Sequence, residues 1–147
     1  MRVILALLLL MSAAIGQASE LTGHCQTKLR IHKELPDGKV NVLALDVAVE
    51  FIENQQMLLF VEGSTSINGK EYILSRYVNY SYRKKGDDFY EMERISTEAL
   101  HLDNYPSDTF TEEFGIEVEH PKFHISKFYN AYIFANQFAP VFICMTS

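Results

Sequence analysis

The chain has 147 residues, of which 48% are hydrophobic and 22% charged, with 13 Lys and Arg against 19 Asp and Glu for a formal net charge of −6. That length fits one domain, and an ordinary apolar fraction with modest charge excludes intrinsic disorder. The acidic balance argues against a nucleic-acid binder, which needs a basic stripe to neutralise phosphates, and two cysteines are too few for a disulfide-rich miniprotein or a four-cysteine zinc site.

Met1-Arg2 opens the chain, and no charge follows from Val3 to Gly16, with Leu7 to Leu10 at the centre of the run. Small residues stand at Ala14, Gly16 and Ala18. A short positive start, an apolar core and small residues two apart mark residues 1–18 as a secretory signal peptide. The competing reading is a short membrane anchor, although a spanning helix needs about 20 apolar residues. Residues 19–147 then form a single exported domain. In an oxidising compartment, Cys25 and Cys144 read as one disulfide tying the first strand to the last; the alternative is two unrelated thiols.

The first apolar run alternates Cys25, Thr27, Leu29 and Ile31 with polar residues, and Pro36-Asp37-Gly38-Lys39 marks a tight turn. The second puts Leu43, Leu45, Val47, Val49 and Phe51 on one face, the clearest strand signal in the chain. Met57 to Ile67 is the third, with Gly63 as a bulge or a point of close approach. Asn68-Gly69 is a hairpin signal. The fourth, Tyr72 to Arg83, aligns Tyr72, Leu74, Arg76, Val78, Tyr80 and Tyr82, and the loop Lys84–Asp88 leads to a fifth over Phe89 to Leu100. Consecutive antiparallel strands at this spacing predict a mainly β protein, an up-and-down sheet or barrel.

The pattern then breaks. Pro106 to Gly115 predicts one short helix near 107–114, capped by Ser107 or Asp108, with Phe110 and Phe114 on one face. Strands resume at 116–118 and 123–128, Tyr129-Asn130 is a turn, and 131–145 forms a last run interrupted at Pro140, which suggests an edge or a bend.

The usual catalytic motifs are missing, and no acid–base pair or cofactor site can be chosen, so the chain reads as non-enzymatic. His120 and His124 have a spacing that seats a metal on a helix, but Pro121 argues against one there. Asn79-Tyr80-Ser81 fits a glycosylation signal, relevant only in a eukaryotic secretory route. Arg76 is the sharper feature. If its face points inward, its charge needs an internal carboxylate or an anionic ligand, or must reach solvent. Leu74, Arg76, Val78, Tyr80 and Tyr82 are therefore the ligand- or partner-facing candidates.

Cys25 near the start, Asn68-Gly69-Lys70, Arg76-x-Val78-x-Tyr80-x-Tyr82 and Pro140-x-Phe142-x-Cys144 together resemble the FidL-like proteins of enteric bacteria over nearly all of the exported part. The resemblance implies a small periplasmic partner of a ToxR-like membrane regulator, whose cytoplasmic winged-helix domain binds DNA. By that likeness the chain binds the regulator's periplasmic domain, as ToxS-like and VtrC-like partners do. Related pairs form a lipocalin-like β-barrel, incomplete in one chain and completed across two, that holds bile-salt-like molecules. The alternatives are a free-standing exported lipocalin-like carrier of a small apolar ligand and, more remotely, an exported enzyme or enzyme inhibitor.

Overall fold

A computed structural model describes residues 21–34, 37–67, 69–106 and 119–146. Among these, eight strands follow in order: β1 Gly23–Glu34, β2 Val40–Ile52, β3 Gln56–Ile67, β4 Lys70–Lys84, β5 Phe89–Ala99, β6 Lys122–Phe128, β7 Ala131–Ala135 and β8 Pro140–Thr146. Each pairs antiparallel with the next, and β1 pairs with β8, so the meander closes into a barrel. The mainly β barrel expectation holds, and the structure answers what the sequence left open, whether the ring is incomplete: one chain closes it by itself. The expected helix at 107–114 and the short strand at 116–118 lie outside the described residues.

Period-two patterning decides which face is buried. On β2, Leu43, Leu45, Val47, Val49 and Phe51 all point inward and are buried, while Ala44, Asp46 and Glu50 face solvent. Each such aliphatic side chain contributes about 1.5–3 kcal/mol when fully buried. Aromatic rings fill the centre. Phe51 meets Tyr132 edge-on at 5.0 Å between centroids, and Phe134 stacks on Phe142 at 4.4 Å.

Gly63 is a point of close approach. It stands opposite Leu45 in the β2–β3 ladder, where a Cβ would sit 2.7 Å from Leu45 Cδ2 and collide with the Ala44 carbonyl oxygen. Gly63→Ala is expected to lower stability by about 1–3 kcal/mol through overpacking. Urea denaturation reads this as a lower midpoint at constant slope; an unchanged midpoint would mean that β2 and β3 separate at no cost.

The hairpin turns follow their sequence signals in part. Gly38 and Gly69 take positive φ, 79° and 78°. Asp37 accepts hydrogen bonds from the Lys39 ammonium and backbone N–H, which hold its carboxyl below the usual value. The β6–β7 turn has Tyr129 in the left-handed region at φ 52°, which costs a non-glycine residue about 1–2 kcal/mol. The last run differs from expectation, because it is a hairpin rather than one interrupted strand. Ala131 through Ala135 pair with Met145 through Pro140, and Asn136 Oδ1 closes the loop by accepting the N–H groups of Phe138 at 2.8 Å and Ala139 at 2.9 Å. Apolar residues on both sides hid this turn. Pro140 starts β8, where its missing N–H costs least.

Among the described residues, two seams in the ring are short. Between β5 and β6 the ladder holds three residue pairs, Phe89↔His124 to Glu91↔Lys122, and two N–H bonds extend it, Met92 to Pro121 O and Arg94 to Glu119 O. Between β1 and β8 it holds two pairs, Cys25↔Thr146 and Gln26↔Met145. The Cys25–Cys144 disulfide lies at this second seam, with Cα atoms 5.3 Å apart and both residues fully buried.

Candidate functional site in the barrel interior and the seam between the first and last strands

Alternation along β4 turns all five candidate residues, Leu74, Arg76, Val78, Tyr80 and Tyr82, toward the interior, where all are buried. The Arg76 guanidinium meets a carboxylate from its own chain. Its Nε donates to Asp103 Oδ2 at 2.7 Å and its Nη2 donates to Asp103 Oδ1 at 2.9 Å, and Nη2 also donates to the Tyr105 carbonyl oxygen. Both side chains are 2% exposed.

The segment after β5 delivers Asp103 to this position. Leu100 N–H donates to Ser75 O and Asn104 N–H to Ile73 O, while Asn104 Oδ1 accepts the Ile73 N–H at 2.7 Å. The loop is thereby stitched along β4. Asp103 also accepts the backbone N–H groups of Ser75 at 2.9 Å and Tyr105 at 3.1 Å. Burial by itself would raise the Asp103 pKa, but the Arg76 hydrogen bonds, the Ser75 N–H, the Arg76 charge and the Tyr105 N–H together hold it below 3.8. Of the partners left open by the sequence, the structure supplies the internal carboxylate. Sequence reasoning missed Asp103, because a partner 27 residues away on a loop leaves no periodic trace.

Among the described residues the interior is closely packed. A void of about 30 Å³ remains, lined by Leu29, Val47, Met57, Tyr80, Phe123 and Phe142 among others. That is about one water molecule's share of liquid volume, against roughly 300–1,000 Å³ for a typical small-molecule pocket. The void touches the β1–β8 seam through Leu29 and Phe142.

Beyond Gln26 the β1–β8 ladder stops, although β1 continues to Glu34 and β8 begins at Pro140. The inward-facing Leu29, Ile31 and Phe142 near this opening are only partly buried. On the outside, Val141, Ile143 and Met145 of β8 are each about half exposed. A groove of about 590 Å³ starts at the seam, bounded by Gln26, Thr27, Lys28 and Met145, and crosses β2 to Phe60. Lys28 is paired with Asp46 at 2.8 Å. Arg30 and His32 are exposed, and their cross-strand neighbours on β2 are Ala44 and Val42, which carry no charge. The opening thus combines strand edges, an apolar strip and two basic side chains.

Elsewhere the sequence candidates are dispersed. His120 is exposed in the loop before β6, while His124 Nδ1 lies 2.9 Å from Asp88 Oδ1. Among the described residues no group of three or more His, Cys, Asp or Glu side chains is placed to hold a metal ion. Asn79 lies in the middle of β4 with its Oδ1 buried, a poor position for glycosylation of the folded chain. No protein-family model matches the chain, and no curated protein matches it.

Proposed function

We propose that the chain is an exported, non-enzymatic accessory subunit that binds and stabilises the periplasmic domain of a membrane-bound winged-helix transcriptional regulator. The observation that carries this reading is the β1–β8 opening. Unpaired strand edges are templates for an added strand. Here the edge is flanked by half-buried Leu29, Ile31 and Phe142 inside and by exposed Val141 and Ile143 outside. A partner segment laid along it would cover both apolar strips and bring its own acidic residues to Arg30 and His32. The resemblance to FidL-like proteins supplies the class of partner.

A bile-salt-like ligand fits this reading only as a shared occupant. The void of about 30 Å³ abuts the opening, and a partner strand that displaced Phe142 would enlarge it there. Among the described residues, so small a void supports this reading over a free-standing carrier, which needs a chamber of roughly 300–1,000 Å³. Co-expression with a ToxR-like membrane regulator from the same genome, followed by affinity purification in detergent, is expected to give a stable complex. Ile143→Lys is expected to weaken that complex at least about tenfold, because a charge in a desolvated interface core is costly, while leaving the melting temperature of the free chain unchanged. A chain that stays monomeric beside the regulator, or an Ile143→Lys variant that binds as well as the parent, would refute the reading.

A further inference from the structure

We propose that the end of the barrel bearing the β6–β7 hairpin tip seats in the interface of a lipid bilayer, with Phe128 and Tyr129 as its anchors. Folding does not ask for these residues. A two-residue hairpin with positive φ at its first central position favours glycine there, yet Tyr129 occupies it at φ 52°. Tyr129 is 84% and Phe128 62% exposed, and their rings meet edge to face at 4.6 Å. The sequence therefore places two large rings in water at a strained tip, a combination that points to function.

The position of the tip identifies its occupant. The Tyr132 hydroxyl donates to the Thr22 carbonyl oxygen at 2.9 Å, and the Thr146 N–H donates to the Asn130 carbonyl oxygen at 2.8 Å. The tip thus lies beside the point where the chain enters the barrel. Residues 1–20 precede that point and include the uncharged run Val3–Gly16. Retained as a membrane anchor, the competing reading of residues 1–18, that apolar run would draw the same end of the barrel toward lipid as the aromatic tip. A protein partner fits less well. Two rings bury about 150–250 Å² each, a small part of the roughly 1,200–2,000 Å² of a stable protein interface.

The turns at this end carry both signs of charge, with Lys84, Lys85 and Lys127 beside Glu53, Asp87 and Asp88. Attachment accordingly depends on ring insertion more than on anionic headgroups, and Tyr has the amphipathic ring suited to headgroup depth. The inference is independent of the partner reading, since a chain that binds no regulator would still place this tip in lipid.

The protein has no tryptophan, so a single introduced one is a clean reporter. The full chain carrying Tyr129→Trp is reconstituted into phosphatidylcholine–phosphatidylglycerol vesicles containing brominated lipids. Phe138→Trp, at an 85% exposed site in the loop at the opposite end of β7, is the control. Trp at position 129 is expected to emit at shorter wavelength than in buffer and to be quenched at least about twofold by shallow bromines, as an interfacial ring would be. Trp at position 138 is expected to be unaffected. Phe128→Trp must behave like Tyr129→Trp, which covers the case that one tip variant fails to fold. An unquenched tip, or equal quenching at both ends, would overturn the proposal; the first result would point to a protein partner at the tip.

Discussion

Removing the Cys25–Cys144 disulfide is expected to be among the most damaging changes to this fold. The bond spans 119 residues. Chain entropy over such a loop corresponds to about 5 kcal/mol, with about 2–5 kcal/mol usual when a native disulfide is removed. A small domain has only about 5–15 kcal/mol of net stability. The local structure gives little to replace the bond, because among the described residues the β1–β8 ladder has two residue pairs against twelve between β1 and β2. Loss of the covalent tie therefore threatens ring closure as well as chain entropy. Urea denaturation of Cys25→Ala/Cys144→Ala, compared with the oxidised parent, is expected to show a large fall in midpoint. Non-reducing and reducing gels of the oxidised protein should also differ in mobility. Equal midpoints would mean that the strands close the barrel without help.

Breaking the Arg76–Asp103 pair is the second large effect. Arg76→Leu leaves a carboxylate with a 2% exposed side chain facing an apolar interior, and removal of one partner from a buried pair typically costs about 3–5 kcal/mol. The pH dependence identifies the cause. In the parent, Asp103 has a folded pKa below its ordinary 3.8, so its contribution is complete well above 3.8 and is lost as pH falls through the lowered folded value. In Arg76→Leu the cation is gone and burial dominates, so the folded pKa of Asp103 rises and acid relieves the penalty. The stability gap between parent and variant is expected to be widest near neutral pH and to narrow on acidification. A gap that stays constant from pH 7 to pH 4 would place the damage in packing alone. Unchanged partner binding by the surviving folded fraction would confine Arg76 to a structural part.

Much of the barrel can be read from the chain because a strand with one buried face imposes period two on its residues. Leu43 to Phe51 on β2 and Tyr72 to Tyr82 on β4 show the period directly, and both bury the expected set, with Tyr72 only partly buried. Gly63 is legible because glycine within a strand marks close approach. The cysteine pair is also legible, since two isolated cysteines expected in an oxidising compartment read as one bond, and the bond is present. The β7–β8 hairpin is less so, because its apolar flanks conceal the Asn136 loop, and local hydrogen bonds define it better than hydropathy does.

By itself, the sequence determined the strands through β5, the inward faces of β2 and β4, and that Arg76, if turned inward, needs a partner. Those depend on side-chain period and on the cost of burying a charge, and both are local properties. The tertiary structure decided that the partner is Asp103, that rings fill the centre, and that β1 and β8 part beyond Gln26. Each of these depends on residues far apart in the chain meeting at a particular register, tilt and strand separation. No periodicity records such distances, so only the folded chain shows a closed ring with an open seam.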